Sequence, residues 1–330
     1  MSLPTRRGAA CAAASLMLAL AGATGASAQA WPTRTITAIV PFAAGNAIDG
    51  VGRILLEELS RQLGQPVVIE NRPGAGGTLG AATVARAAPD GHTILLYSSS
   101  FSISHAIHAN LPYDTLKDFI PVVPFGLQPT VLVTAPSKGF KTLGELVAAA
   151  KAKPGAMSFA SAGIGAASHM AAERFRVSAG FEALHIPFRG PTDALTAAMR
   201  GEVDFYFLPV APALPLIKEG KLTALAVSTA KRASALPDVP TTTEAGLKDS
   251  AYDFWVGIFV PAKTPPEIVA RLHDETQKAL DVPSVQERYA KLGVEPLRLT
   301  QEEFVKYFHN DVEDTVKLVK AAKIPTQERN

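Results

Sequence analysis

Short runs of β-branched and apolar residues alternate with segments of helical spacing along most of the chain. The run 35–40 precedes helical spacing at 48–63, and the same alternation continues to residue 228. The part from Phe254 onward begins with one more apolar strand and then holds only helical patterns. Strands that alternate with helices in this way predict an α/β fold whose sheets are largely parallel.

The first 28 residues have the three-part pattern of a secretory signal. Arg6 and Arg7 supply positive charge, residues 9–21 are largely apolar, and a small-residue cleavage site ends at Ala28. A membrane-spanning helix would require roughly 20 apolar residues, which is more than this stretch offers. The pattern predicts a signal peptide at 1–28, cleavage after Ala28 and a mature chain in the periplasm.

Removal of this segment changes the charge and the cysteine content. The full chain has 32 Lys and Arg residues, and without Arg6 and Arg7 their number equals that of the 30 Asp and Glu residues. Cys11, the single cysteine, is also removed. A neutral chain without a Lys/Arg-rich run is not expected to bind nucleic acid. A mature chain without cysteine forms no disulfide and no thiolate metal site.

Length and turn-rich segments predict two lobes. A mature chain of about 300 residues usually divides into two domains that each bury a core. The segments 121–136 and 235–251 are interrupted by proline or rich in turn-forming residues, and we interpret them as crossings between the domains. We therefore expect one lobe to comprise 29–131 plus 253–330 and the other to comprise 132–252.

Two segments predict anion-binding seats, because in each a strand runs through small residues into a helix. The first seat is 42–47, with Gly45 in its loop, and the second seat is 161–168. The first N–H groups of a helix have no partner within it, and the helix dipole favours negative charge there, so such loops can hold a carboxylate or a phosphate. An ordinary turn in which Asn46 only caps its helix remains the alternative for the first.

Nucleotide, metal and catalytic sites are not expected. Gly163 and Gly165 lack the third glycine and the later acid of a dinucleotide fingerprint, and His169 is interpreted as a capping or packing residue. His105 and His108 have no nearby acid, which is too little for zinc. Motifs such as G-x-S-x-G and H-E-x-x-H are absent from the sequence. We expect no cofactor, no metal and no enzymatic activity.

Ordered segments spread over nearly the whole mature chain form a family pattern. They are Val40-Pro41-Phe42 with Gly45 and Asp49, Gly64-Gln65-Pro66, Glu70-Asn71-Arg72-Pro73-Gly74-Ala75-Gly76-Gly77, Ala88-Pro89-Asp90-Gly91, Leu111-Pro112-Tyr113-Asp114, Ser161-Ala162-Gly163, His185-Ile186-Pro187-Phe188-Arg189-Gly190 and Leu236-Pro237-Asp238-Val239-Pro240. This pattern resembles the extracytoplasmic solute receptors of tripartite tricarboxylate transporters, the Bug-type receptors. The resemblance implies a type II periplasmic binding protein of the Venus-flytrap kind, with the ligand carboxylate seated by 42–47 and 161–168 between two lobes. It also implies membrane permease subunits as partners, and we expect the receptor to be a monomer.

Departures from the family pattern shape the expected ligand. Many members carry an acid after Phe207, whereas this chain has Leu208 and Pro209, and Phe101 is larger than expected. Polar and glycine residues are also fewer after Gly45. Each change removes polarity or adds bulk near the expected cleft. We hypothesise a small carboxylate, most simply a dicarboxylate, with an apolar or aromatic middle, and terephthalate is one candidate.

The expected ligand contacts come from the loops and from strand ends. Side chains of Asn46, Ser100, Ser161 and Ser168 are expected donors, whereas Arg189 could equally form a surface ion pair. For Ser100 and Phe101 a pocket and a plain loop are both open. The full expected set is Phe42, Ala44, Gly45, Asn46, Ala47, Ser100, Phe101, Ser161, Ala162, Gly163, Gly165, Ser168, Arg189, Phe207, Leu208 and Pro209.

Two other functions stay open at this stage. One is an exported hydrolase of aromatic esters, which would require a nucleophile, a base and an oxyanion site in one cleft. The other is a periplasmic sensor that presents its ligand to a signalling partner, because closure around a ligand serves sensing as well as transport.

Overall fold

A computed structural model describes residues 31–326. The predicted signal peptide at 1–28 lies outside these residues. Within 31–326, none of the helices combines the length and the hydrophobicity that crossing a bilayer requires.

Strands and helices alternate along the described chain, largely as the sequence predicts. The strands are β1 Ile36–Val40, β2 Val67–Asn71, β3 Thr93–Ser98, β4 Phe119–Gln128, β5 Thr130–Thr134, β6 Met157–Ser161, β7 Ala183–Pro187, β8 Phe205–Pro209, β9 Thr223–Val227 and β10 Phe254–Pro261. The helices are α1 Ala47–Leu63, α2 Thr78–Ala85, α3 Ser100–Ile107, α4 Leu143–Ala152, α5 Ala167–Ala179, α6 Pro191–Met199, α7 Val210–Lys218, α8 Pro266–Asp281, α9 Pro283–Lys291 and α10 Gln301–Ala321.

The strands form two five-stranded sheets, which confirms the two-lobed α/β prediction. The first sheet has the order β2-β1-β3-β10-β4, and the second has the order β7-β6-β8-β5-β9. The expectation of largely parallel sheets is wrong in detail, because β10 runs antiparallel to both of its neighbours and so does β5. Strands β5 and β10 are each the first strand that follows a change of sheet along the chain.

The chain changes sheets twice. It passes from β4 to β5 at Pro129 alone, and it returns between Val227 and Phe254. Since β5 begins at Thr130, the first change lies two residues before the boundary predicted between 131 and 132.

Local sequence accounts for the helix that begins at the first seat. Asn46 caps α1, and Gly64 ends it in the left-handed region with φ of +68°. Val51, Leu55 and Leu59 are buried on one face of this helix. They pack beneath the first sheet in a core that also includes strand residues of β1 and β3. Full burial of each such side chain contributes roughly 1.5–3 kcal/mol.

Two elements were not predicted from the sequence. For 98–102 the sequence leaves a pocket and a plain loop open, whereas the structure has helix α3 there. The extended segment 121–136, interpreted as a crossing interrupted by Pro124 and Pro129, contains most of strand β4. Strand β4 lies at the edge of its sheet, where a missing N–H donor is tolerated. The serines of α3 obtain partners elsewhere in the fold: Ser102, for example, donates to Asp311 at 2.5 Å.

Candidate functional site

The first seat is the exposed loop between β1 and α1. Asn46 Oδ1 accepts hydrogen bonds from the N–H groups of Ile48 at 2.8 Å and Asp49 at 3.2 Å, and its side-chain amide donates to the carbonyl of Ala43. The capping role that the sequence left open is therefore the one that Asn46 adopts. Its side chain serves the loop, and the prediction that it donates to a ligand receives no support from this arrangement.

Asp49 fixes the loop from within. Its carboxylate accepts from Gly45 N–H at 2.9 Å and from Asn71 Nδ2 at 3.1 Å, and it forms a two-point pair with Arg53 at 2.9 and 3.1 Å. Burial alone would raise the pKa of Asp49, but the hydrogen bonds from Arg53, Gly45 and Asn71 outweigh it and hold the pKa below its ordinary value.

Replacing Asp49 by asparagine is expected to lower the free energy of unfolding by about 1–3 kcal/mol at pH 7, since it removes the charge from a buried, hydrogen-bonded network. A carboxyl group whose pKa is lowered by folding stabilises the protein above its unfolded pKa, and this contribution is lost as the pH falls through the folded pKa. The difference between wild type and variant should therefore shrink at pH 3. Urea denaturation at both pH values measures it, with Asp238→Asn at an exposed site as the control. Equal losses in both variants would contradict the role of Asp49.

Between residues 44 and 47 of the first seat, three N–H groups have no acceptor in the described chain. The N–H groups of Gly45, Ile48 and Asp49 have acceptors within the loop. The N–H groups of Ala44, Asn46 and Ala47 have no acceptor among residues 31–326. Two of these belong to the start of α1, so the dipole of a 17-residue helix adds to their attraction for an anion.

In the second seat, between β6 and α5, side chains again accept hydrogen bonds from the N–H groups of the loop. Ser168 Oγ accepts from Ala162 N–H at 3.0 Å, and Ser161 Oγ accepts from Gly163 N–H at 3.1 Å. His169 Nδ1 accepts from Gly165 N–H at 3.2 Å. Ser161 and Ser168 were predicted to bond the ligand, but both are buried and support the loop.

The remaining donors of the second seat are backbone groups. The N–H groups of Ile164, Ala167 and Ser168 have no acceptor within the described part of the chain. Gly163 and Gly165 have φ of +126° and +77°, a region that favours glycine, and this turn leaves the donors unpaired. A Cβ atom added at Gly165 would lie 3.5 Å from Ile107 Cδ1, so the loop faces α3.

Two histidines lie behind the second seat. The rings of His169 and His185 are stacked with centroids 4.0 Å apart, and His185 also stacks on Phe159 at 4.9 Å. Burial lowers the pKa of His185 to about 4. Burial, together with the neighbouring His185 and Arg176, lowers the pKa of His169 to about 3. Both rings are therefore neutral at pH 7.

The contact between Ser161 and His185 does not form a hydrolase site. Ser161 Oγ lies 2.6 Å from His185 Nε2, which is the first requirement for an activated serine. Ser161, however, has no exposed surface, so a substrate carbonyl cannot reach it. Within 31–326, no carboxylate orients the other ring nitrogen of His185.

Three predicted site residues lie in the cores instead of the cleft. Phe101 is fully buried and stacks on Tyr97 at 4.6 Å. Phe207 packs on Phe175 at 5.9 Å beneath α5, and Leu208 belongs to the core on the other face of the second sheet. Phe207 and Leu208 are buried because strand β8 is central in its sheet and is covered on both faces. Phe101 is buried because its ring packs into the aromatic core beneath the first sheet.

The remaining predicted positions are partly or fully exposed. Pro209 is half-buried where β8 ends, and Ser100 is half-buried at the first turn of α3. Arg189 is exposed and forms no ion pair among residues 31–326.

The capping or packing role predicted for His169 is confirmed by its contact with Gly165 N–H, whereas the support from His185 and the exposure of Ile164 were not predicted. Ile164 is 51% exposed although it is apolar, and it stands between two glycines at the tip of the second loop. The glycine pair itself was the available signal, because it forces the residue between to project outward.

A family model described as tripartite tricarboxylate transporter family receptor matches residues 51–324. A UPF0065 protein encoded in the tcbD-tcbE intergenic region of Pseudomonas sp. strain P51 is 37% identical over 88% of this chain and 87% of its own length. Protein BugT of Bordetella pertussis is 34% identical over 90% of this chain and 92% of its own length.

Solved structures show the same fold. The periplasmic binding protein BugD is 34% identical with a TM-score of 0.72, and it is matched over 91% of this chain and 100% of its own. MatC from Rhodopseudomonas palustris with bound malate is 33% identical with a TM-score of 0.71, over 88% and 100% of the two chains. An R. palustris protein with adipate is 28% identical with a TM-score of 0.75, over 89% and 99%.

Proposed function

This chain belongs to the tripartite tricarboxylate transporter family of receptors, and from that premise we propose that it captures a small dicarboxylate and delivers it to the permease subunits of a tripartite transporter. Receptors of this family are periplasmic solute-binding proteins and not enzymes. The proposed export signal at 1–28, with cleavage after Ala28, would bring the mature chain to that compartment.

The observation that carries the proposal is the pair of seats with free backbone donors. One set is formed by Ala44, Asn46 and Ala47 at the start of α1, and the other by Ile164, Ala167 and Ser168 at the start of α5. Each set offers N–H groups and a positive helix end, which suit a carboxylate. Two seats on two lobes suit a ligand that is acidic at both ends.

The proposed lobes follow from the sheets. We assign 31–129 plus 253–326 to the first lobe and 130–252 to the second. The first seat then belongs to the first lobe and the second seat to the second lobe. Such lobes can close on a ligand about the two crossings, and the closed form is the shape that a permease would recognise. A monomer suffices for this mechanism, because a single chain carries both seats.

The proposed ligand class rests on relatives and on the surface of the second seat. Malate and adipate occupy two structural relatives. The apolar middle that the sequence suggested loses the support of Phe101 and Leu208, which lie in the cores. The exposed side chain of Ile164 and the half-buried ring of Phe42 still support an apolar middle. We propose a dicarboxylate with an apolar middle; adipate represents the aliphatic form, and terephthalate the aromatic form.

Calorimetry with adipate, terephthalate, malate and citrate tests the proposal. We expect one site per chain and micromolar or tighter binding for at least one apolar dicarboxylate, since a few charge-assisted hydrogen bonds contribute roughly 1.5–3 kcal/mol each. The same ligand should raise the melting temperature, because it binds only the folded state. Preference for citrate would contradict the apolar middle, and absence of binding by all four would contradict the function.

A further inference from the structure

Two histidine side chains support the loop of the second seat through hydrogen bonds. His169 lies in the first turn of α5 and accepts the N–H of Gly165 on Nδ1 at 3.2 Å. His185 comes from the neighbouring strand β7 and meets Ser161 Oγ at 2.6 Å through Nε2. Ser161 Oγ in turn accepts the N–H of Gly163. The two rings therefore reach both ends of the turn 161–165.

These contacts decide which N–H groups face a ligand. With Gly163 and Gly165 turned inward to Ser161 and His169, the N–H of Ile164 between them is left without a protein acceptor. If either inward contact were lost, the glycines could rotate, because a residue without Cβ adopts many backbone conformations at little cost. Ile164 N–H would then have no fixed direction.

We propose that His169 and His185 are positioning residues of the carboxylate seat: their stacked rings fix the turn 161–165 so that the N–H groups of Ile164, Ala167 and Ser168 stay available to the ligand. The inference rests on the proposed function and deepens it. Neither ring contacts the ligand; each acts through the backbone of the loop.

Neutrality is a requirement of this arrangement. A protonated His169 would carry a hydrogen on Nδ1 and could not accept from Gly165. Three charged groups lie near the pair. Glu173 Oε1 is 3.7 Å from His169 Nε2, but Glu173 is paired with Arg176 at 2.7 Å, and Arg176 also pairs with Glu182 at 3.0 Å. The carboxylate of Glu173 is thus shared with a cation and does not draw a proton to His169.

Amide substitutions separate the two ring nitrogens. The side-chain oxygen of asparagine takes nearly the place of Nδ1, and the end of glutamine takes nearly the place of Nε2. His169→Asn keeps the acceptor for Gly165, whereas His169→Gln misplaces it. At His185 the order is reversed: His185→Gln keeps the partner of Ser161, and His185→Asn loses it. All four variants replace a ring by an amide, so the loss of stacking is common to them.

The measurement is the dissociation constant of the best dicarboxylate among adipate, terephthalate, malate and citrate, by calorimetry on the full mature chain. We expect His169→Gln and His185→Asn to bind about tenfold more weakly than His169→Asn and His185→Gln, respectively, which corresponds to one backbone N–H left without its partner. His309→Leu at an exposed site serves as the control and should bind as the wild type does. Wild-type affinity should also show no histidine titration between pH 8 and 5.5, because the pKa values of the two rings are about 3 and about 4.

The outcomes separate the two ideas. If the wild type binds none of the four acids, the proposed function falls, and the positioning role falls with it. If the wild type binds but the asparagine and glutamine variants at each position have equal affinities, only the positioning role is overturned. Urea denaturation without ligand completes the test: a purely structural role would order the variants by stability and leave the affinity of the folded protein unchanged.

Discussion

Replacing Ala167 by proline is expected to weaken dicarboxylate binding by about 10-fold to 150-fold, because it deletes one charge-assisted hydrogen bond worth roughly 1.5–3 kcal/mol. Proline has no N–H, and Ala167 is the first residue of α5, where the N–H has no acceptor within the described chain. The lost donor is therefore one that the fold does not use.

The backbone already suits this substitution. The preceding residue, Ala166, has φ of −67° and ψ of 156°, the extended conformation that proline requires before it. Proline also occupies the first position of α6, α8 and α9 at Pro191, Pro266 and Pro283. The free energy of unfolding should change by less than about 0.5 kcal/mol, since proline is favourable at the first helical position.

The same substitution can be made in the other lobe. Ala47 is the first residue of α1, and Asn46 before it has φ of −73° and ψ of 170°. Ala47→Pro should weaken binding by a similar factor. If one ligand bridges both seats, the losses should multiply in the double variant, to roughly 100-fold or more.

Calorimetry of the two single variants and the double variant provides the test. Ala167→Ser and Ala47→Ser keep the N–H group and serve as matched controls, and they should bind within about threefold of the wild type. Full affinity in Ala167→Pro would mean that the second seat does not hold the carboxylate. A double variant no weaker than the weaker single variant would mean that the ligand does not contact both seats.

Much of this fold could be predicted from the sequence because its local signals agree with its packing. The helix at 48–63 was predicted within one residue at its start, since the apolar spacing of Val51, Leu55 and Leu59 coincides with the buried face and Asn46 caps it. The strand pattern, in contrast, does not encode direction. Nothing local distinguishes β5 or β10 from the parallel strands beside them, because the antiparallel placement follows from where the chain crosses between sheets.

The candidate site stays a prediction at the level of loops, and the structure gives several of its side chains other roles. The small residues at 42–47 and 161–168 indicate free N–H groups. The side chains of Asn46, Ser161 and Ser168, which were assigned to the ligand, instead accept hydrogen bonds from N–H groups of their own loops. The contact of Ser161 with His185 joins residues 24 apart across neighbouring strands β6 and β7. Such a contact depends on strand register, which a single sequence does not show.

The position of Phe101 illustrates the same difficulty, and it leads to a prediction about stability. Its ring is fully buried and packs against Tyr97 at 4.6 Å and against Phe119 and Phe259, each at 5.2 Å. Phe101→Ala should lower the free energy of unfolding by about 3–5 kcal/mol, because it removes a large apolar side chain and leaves a cavity. The affinity of the folded protein for its dicarboxylate should stay within about twofold, which is well below the cost of one lost charge-assisted hydrogen bond.

Urea denaturation and calorimetry of the same samples, at a temperature where both proteins are folded, separate these two effects. Val316→Ala is the matched control, because it shortens an apolar side chain that is 42% exposed and lies outside both seats, and it should change the unfolding free energy by less than about 0.5 kcal/mol. We expect Phe101→Ala to be less stable than the control variant, although both proteins should be folded at low temperature. A Phe101→Ala protein that keeps its stability but loses its ligand would restore the cleft position that the sequence suggested, since only a side chain in contact with the ligand could produce that result.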